Sequence, residues 1–166
     1  MPTMQRVVSS GEIDAVAALA HEIWNHHFPP IIGQAQVDYM LDTMQSAAAI
    51  TRQIRERGYE YYLVFDGDQR SGYFAIVPDE DGSMQLSKLY LKHACRGRGL
   101  GRAVLEWIKR ECAPRGARQL WLTVAKGNAD SIAFYERAGF TIAGLIAIDI
   151  GGGFVMNDHR MVKNLS

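Results

Sequence analysis

Between Ser83 and Leu105 the chain reads SMQLSKLYLKHACRGRGLGRAVL, with Lys88, Lys92, Arg96, Arg98 and Arg102 and no acidic residue. The whole chain balances 18 Lys plus Arg against 18 Asp plus Glu, so this positive charge is placed, not general. Gly97, Gly99 and Gly101 sit inside it, after an apolar strand-like run and before an amphipathic helical pattern. Glycine lets backbone approach an anion closely, the N–H groups of a helix start are unpaired, and the helix dipole favours negative charge there. The chemistry this supports is a phosphate cradle. It is not a dinucleotide fingerprint, because Arg102 stands where the third glycine belongs. It is not a P-loop either, because the closing G-K-[ST] is missing.

A second polar face lies downstream in LWLTVAKGNADSIAFYERAGF, residues 120–140. At about 3.6 residues per turn, Asn128, Ser131 or Ile132, and Tyr135 share one side of a helix. Asn128 stands at the helix start, where it can serve as an N-cap, as a ligand, or as both.

These residues need elements to hold them. Met4 to Val8 reads as a first strand, and Ser9 or Ser10 caps a helix from about Glu12 to His26. Pro29 and Pro30 end that segment. A helical region follows from Gln34 to Arg57, broken near Ser46, until Gly58 stops it. Tyr59–Phe65, Gly72–Val77 and Met84–Leu91 are strands joined by the turns Asp66-Gly67-Asp68 and Pro78–Gly82. Helix Gly99–Cys112, strand Gln119–Val124, helix Ala129–Ala138 and strand Phe140–Ile150 come next. Gly151-Gly152-Gly153 then turns into a last strand, Phe154–Val162. Antiparallel hairpins followed by β-α-β-α-β imply a mixed α/β sheet with helices on both faces. Both helix starts open at the carboxyl edge of that sheet, where open α/β sheets bind ligands.

Composition narrows the function. With 166 residues and 48% hydrophobic content, the chain reads as one domain, residues 1–166, with a substantial core. The neutral balance disfavours nucleic acid as a partner. No apolar run reaches the roughly 18 residues that span a membrane, and the N-terminal stretch lacks a signal-peptide core. Cys95 and Cys112 are the only cysteines. They read as reduced thiols of a cytoplasmic protein, with a disulfide as the minor option. No metal site is expected.

RGRGLG at 96–101 resembles the [QR]-x-x-G-x-[GA] pyrophosphate loop of the GNAT superfamily of acyl-CoA-dependent N-acyltransferases. N-x-x-x-x-x-F-Y-E-R-x-G-F at 128–140 resembles its second cofactor motif. The likeness is close over residues 84–140, and the order of elements fits it throughout. It implies a GNAT-like fold of about seven strands, antiparallel at first, with two parallel central strands that splay near Leu91 and Val124. It implies acetyl-CoA as cofactor. Backbone N–H groups of Arg96, Gly97, Arg98, Gly99, Leu100, Gly101 and Arg102 would hold the pyrophosphate. The strand at Leu89, Tyr90 and Leu91 would pair with the pantetheine arm, and an N–H near Leu91 would polarise the thioester carbonyl. Asn128, with Ser131 beside it, would bind the pantetheine amides, and Tyr135 would sit by the sulfur as the catalytic acid.

Magnitudes fit that role. A tyrosine with a pKa of about 10 gives its proton to a thiolate of about 8.5 at a cost of roughly 2 kcal/mol, so transfer completes only as the thiolate leaves. Deprotonating an alkylamine of pKa about 10.4 at neutral pH costs roughly 4.6 kcal/mol. A base must offset that, yet the fourth strand offers Gln85, Ser87 and Lys88 and no acid. Glu60, His26, His27, Asp149 and ordered water remain candidates.

The resemblance puts the acceptor against the first helical region. There Trp24, His27, Phe28, Ile31, Ile32 and Tyr39 cluster around the proline pair, as pocket wall or as packing; Trp24, His27, Phe28 and Tyr39 are the substrate-binding candidates. The tail DIGGGFVMNDHRM, 149–161, is similar to tails in a bacterial subgroup near spermidine/spermine-type polyamine acetyltransferases. The expected activity is direct acetyl transfer to a primary amine, on a polyamine, another small amine, or a peptide or protein. The alternative is an acyl-CoA-binding sensor without turnover. A homodimer is common among such folds and stands as an option.

Overall fold

The first strand lies two residues nearer the N-terminus than the expected Met4–Val8, because Glu12 takes over the backbone behind it. The Glu12 carboxylate accepts the N–H groups of Val8 (3.0 Å) and Ser9 (2.8 Å), while the Ser9 hydroxyl accepts the Glu12 N–H (3.2 Å). This capping box ends β1 (Pro2–Arg6) and starts α1 (Ser10–His27). The computed structural model describes residues 2–165.

After α1 come α2 (Pro29–Ile32), α3 (Gln34–Met44) and α4 (Ala47–Glu56), then β2 (Glu60–Asp66), β3 (Gln69–Pro78) and β4 (Met84–Leu91). The second half holds α5 (Leu100–Cys112), β5 (Gln119–Ala125), α6 (Ala129–Arg137), β6 (Thr141–Gly151) and β7 (Phe154–Asn164). The proline pair does not only end a helix, as expected. It also opens α2, because a first helical turn has no use for the missing N–H. Ser46 breaks the second helical region by capping α4: its hydroxyl accepts the Ala49 N–H at 3.2 Å.

The seven strands lie in the order β1-β2-β3-β4-β5-β7-β6. Only the β4–β5 pair is parallel. Alternate residues of β2 and β3 feed two cores. Tyr61, Leu63, Tyr73 and Ala75 face α1, α3 and α4, and Tyr62, Val64, Phe74 and Ile76 face α5. A buried polar chain ties the first face together. The Trp24 indole donates to the Tyr73 hydroxyl (3.2 Å), which donates to Gln45 Oε1 (2.6 Å), and Gln45 Nε2 donates to the Tyr61 hydroxyl (3.1 Å).

Two irregularities make the site. In the β3–β4 ladder Ala75 pairs with Lys88 and Ile76 with Leu86, so Ser87 is an extra residue. Such a bulge reverses which face the side chains take. Met84 and Leu86 join the α5 face, while Tyr90 packs with Trp24 and Tyr73 on the α1 face. The second irregularity is between the parallel strands, whose register holds only Met84 with Leu120 and Gln85 with Trp121. Beyond that β4 and β5 part, and a slot opens through the sheet.

Candidate active site

The slot leads into a cavity of about 940 Å³. One bank is the α6 face, Asn128, Ser131 and Tyr135; the other includes Trp24 of α1 and Phe28 at its C-cap, and Leu89 and Tyr90 of β4 also line the cavity. Tyr135 is held by packing. Its ring lies 5.2 Å from Phe134 and 5.4 Å from Phe140, and only 8% of the residue is exposed. Burial pushes its phenol above the ordinary range. The proton therefore stays on Oη at any working pH and moves only toward a developing anion. Tyr90 is raised in the same way, by burial first and then by its neighbours Tyr135 and Asp158.

The glycine segment lies on the rim. Gly99 occupies the N-cap of α5 at φ 77°, with no side chain satisfying the helix start. Left-handed backbone there suits glycine and leaves the first α5 N–H groups open toward solvent. Gly101 has a different reason to be glycine: a Cβ would sit 2.8 Å from Phe134 Cζ, so it lets α5 meet α6. Leu100 is buried, and Leu91 packs into the α5-side core; from these two only backbone groups are available. Arg98 reaches Asp66 at 3.8 Å and Lys92 reaches Glu22 at 3.8 Å, while Arg96 and Arg102 are exposed beside the turn.

Among the acceptor-side expectations, the structure separates four residues. Trp24 and Phe28 line the cavity. His27 turns to the rim, where its Nε2 meets Asn128 Oδ1 at 3.2 Å and its Nδ1 faces Arg96 at 3.5 Å. Tyr39 lies off the cavity wall. Its hydroxyl donates to the Ile150 carbonyl (2.8 Å) and its ring packs on Phe154 (5.3 Å), pinning the glycine turn of β6–β7 to α3. Asn128 sits at the α6 N-cap position but its side chain makes no cap bond; it points to His27 instead.

The base candidates named from sequence do not reach the cavity. Glu60 is held by Arg6 and Arg115 at 3.4 and 2.8 Å, and the His26 ring packs at a tilt against His93. Asp149 accepts the Gly151 N–H in an exposed turn. What sequence reasoning missed is Asp158. It is 3% exposed, lies opposite Ala125 in the β5–β7 ladder, and lines the cavity beside Thr123. Burial raises its carboxyl above the usual range, against a lowering by the Thr123 hydroxyl. Its only signal was a place in the 149–161 tail; the ladder register is what delivers it. Asp79, in the expected Pro78–Gly82 turn, accepts from the Trp121 indole and the Ser83 hydroxyl. Trp107 and Phe134 are packing residues.

Residues 18–140 match the acetyltransferase (GNAT) family. The chain is 26% identical over 154 residues to an uncharacterized N-acetyltransferase of Mycobacterium tuberculosis, covering 93% of this chain and 98% of that one. It is 50% identical over 88 residues to the [ribosomal protein bS18]-alanine N-acetyltransferase of Escherichia coli, a match to 53% of this chain and 58% of the relative. In structure it is similar to the PaiA N-acetyltransferase of Thermoplasma acidophilum in complex with coenzyme A. That likeness has a TM-score of 0.80 at 17% identity over 99% of both chains, and it speaks to the fold.

Proposed function

The chain belongs to the acetyltransferase (GNAT) family and is an acetyl-CoA-dependent N-acetyltransferase; from that premise we propose that it acetylates a primary amine directly, with Tyr135 as acid and Asp158 as base. The observation that carries this reading is the presence of a buried phenol and a buried carboxyl on the wall of one cavity.

Acetyl-CoA, when bound, supplies an acyl group already activated toward amines. The residues fit it: parted strands leave β4 backbone free, and the Gly99 turn leaves helix N–H groups uncapped. Backbone from Arg96 to Arg102 would hold the pyrophosphate, helped by Arg96 and Arg102. Asn128 and Ser131 would hold the pantetheine amides, and β4 backbone at Leu89–Leu91 would align the arm.

The chain's own groups then manage two protons. An ordinary aspartate near 3.9 lies about 6.5 units below an alkylammonium, a transfer roughly 9 kcal/mol uphill. Burial of Asp158 narrows that gap from one side, and drawing the ammonium into the cavity narrows it from the other. At the far end Tyr135 Oη supplies the proton that the departing sulfur takes up. Trp24 and Phe28 shield the exchange from water. We also read the chain as one acetyltransferase domain and place it in the cytoplasm; its two cysteines are free and buried.

The test is thiol release from acetyl-CoA across a panel of small amines and N-terminal peptides. Release that depends on the amine and is saturable is the expected result. Coenzyme A binding without amine-dependent release would leave an acyl-CoA-binding module. The lack of an acid on β4 speaks for that module, and Asp158 on β7 answers it.

A further inference from the structure

The cavity wall carries three cationic side chains, Arg57, Lys88 and Lys126, and one carboxylate, Asp158. Lys88 stands out. The bulge at Ser87 turns it to the α1 face, where its Nζ lies 3.3 Å from Ser87 Oγ and 5.9 Å from the centre of the Tyr59 ring. Among the described residues no carboxylate lies within 4.0 Å of it. Burial alone lowers its pKa to about 8. Lys88 is half-buried on the cavity wall; a cation partly withdrawn from water with no protein anion beside it is costly, and an anionic group of a bound molecule offsets that cost.

We propose that the acceptor is an amine that itself bears a carboxylate, an amino-acid-like zwitterion, with its carboxylate on Lys88 and Arg57 and its amino group toward Asp158. The proposal rests on the acetyltransferase reading above and names its substrate class. Lys88 reaches the Tyr59 ring, two residues past Arg57 at the α4 C-cap, whereas Asp158 lies on β7 opposite Ala125 of β5. A zwitterion satisfies both ends. A polyamine would set further positive charge against Lys88 and Arg57 with a single carboxylate to receive it, so the polyamine option suggested by the tail is disfavoured.

The experiment uses matched acceptors with and without the acid group: alanine against ethylamine, and γ-aminobutyrate against propylamine, with spermidine as the cationic control. Steady-state KM is measured for each. Binding of each to the coenzyme A-saturated protein is followed by calorimetry. The carboxylated member of at least one pair should have a KM and a Kd about tenfold to a hundredfold lower, the range of a hydrogen bond to a charged group. In Lys88→Met that preference collapses toward parity, and in Lys88→Arg most of it is kept. Equal or better use of the plain amines, or of spermidine, would overturn the proposal while leaving acetyl transfer intact. If no amine turned over, the acetyltransferase reading would fail, and calorimetry would still decide whether the amino acids bind through Lys88. Should Lys88→Met fail to fold, the wild-type pairs and Lys88→Arg decide the same question.

Discussion

The two banks of the cleft are built from different materials. The α5–α6 bank is mostly backbone: an uncapped helix start behind Gly99, a close helix contact at Gly101, and one short polar face ending in Tyr135. It lies within residues 96–135 of the chain. The acceptor bank is made of side chains from α1, α4, β4 and β7, from Trp24 to Asp158. Long-range pairing alone brings these together. A grip made of N–H groups tolerates little change, since its geometry is the helix start itself. A grip made of separate side chains can be rewritten one residue at a time. On the proposed function, the contrast separates what fixes the reaction from what selects the substrate.

Tyr135 is where that separation is tested hardest, because this phenol belongs to one bank and, in the proposed mechanism, serves both. Tyr135→Phe keeps the ring against Phe134 and Phe140 and removes only Oη. Turnover should fall by about a thousandfold, within the usual range for general acid catalysis, with the Kd for coenzyme A changed less than about threefold. Steady-state rates beside calorimetry read both numbers. An unchanged kcat would show that the junction needs no proton donor.

Asp158 sharpens the contrast from the acceptor side. Its carboxyl is raised by burial, so in the wild type it takes up a proton at a pH above the usual carboxylate value of about 3.9, and activity falls as pH drops through that point. Asp158→Asn should cost about a hundredfold in kcat/KM and flatten the acid limb of the pH profile. A limb that persists in the variant would assign it to another group.

How much of this was readable follows from the same division. The order of strands and helices and the glycine loop were legible, since each is written locally, in apolar alternation, turn residues and motif spacing; the parallel, parting central pair came from the family resemblance. Strand β4 came out at Met84–Leu91 as read. The face of its side chains could not be read, since one extra residue at Ser87 reverses the alternation without any mark in composition. Asp158 stayed hidden because its neighbours Thr123 and Ala125 are more than thirty residues away in sequence and meet it only through the β5–β7 register. Tyr39 shows the converse. An aromatic residue in the right region reads like a pocket wall until its hydroxyl is found on the Ile150 carbonyl.

His27 joins the banks and gives the mildest prediction. It belongs to α1, yet it touches both cofactor motifs, Arg96 from the loop and Asn128 from the α6 start. An arginine can only donate, so Nδ1 accepts from Arg96 and the proton sits on Nε2, which donates to Asn128 Oδ1. That arrangement needs a neutral ring. Burial first, and Arg96 after it, lower the His27 pKa against the opposing pull of Asn128, so the neutral form persists below the ordinary histidine value. Protonation at still lower pH would set an N–H against the guanidinium and loosen both motifs. Coenzyme A affinity in the wild type should therefore hold through neutral pH and past the ordinary histidine value of about 6.5, and weaken only at lower pH. His27→Ala should weaken it by about threefold to tenfold at neutral pH, the worth of one ordinary hydrogen bond, and should remove most of the pH dependence. Calorimetric titration of coenzyme A above and below that pH reads both effects. Identical Kd values for wild type and variant at each pH would mean that the cofactor bank stands without help from α1, and that the two banks are as independent in energy as they are in sequence.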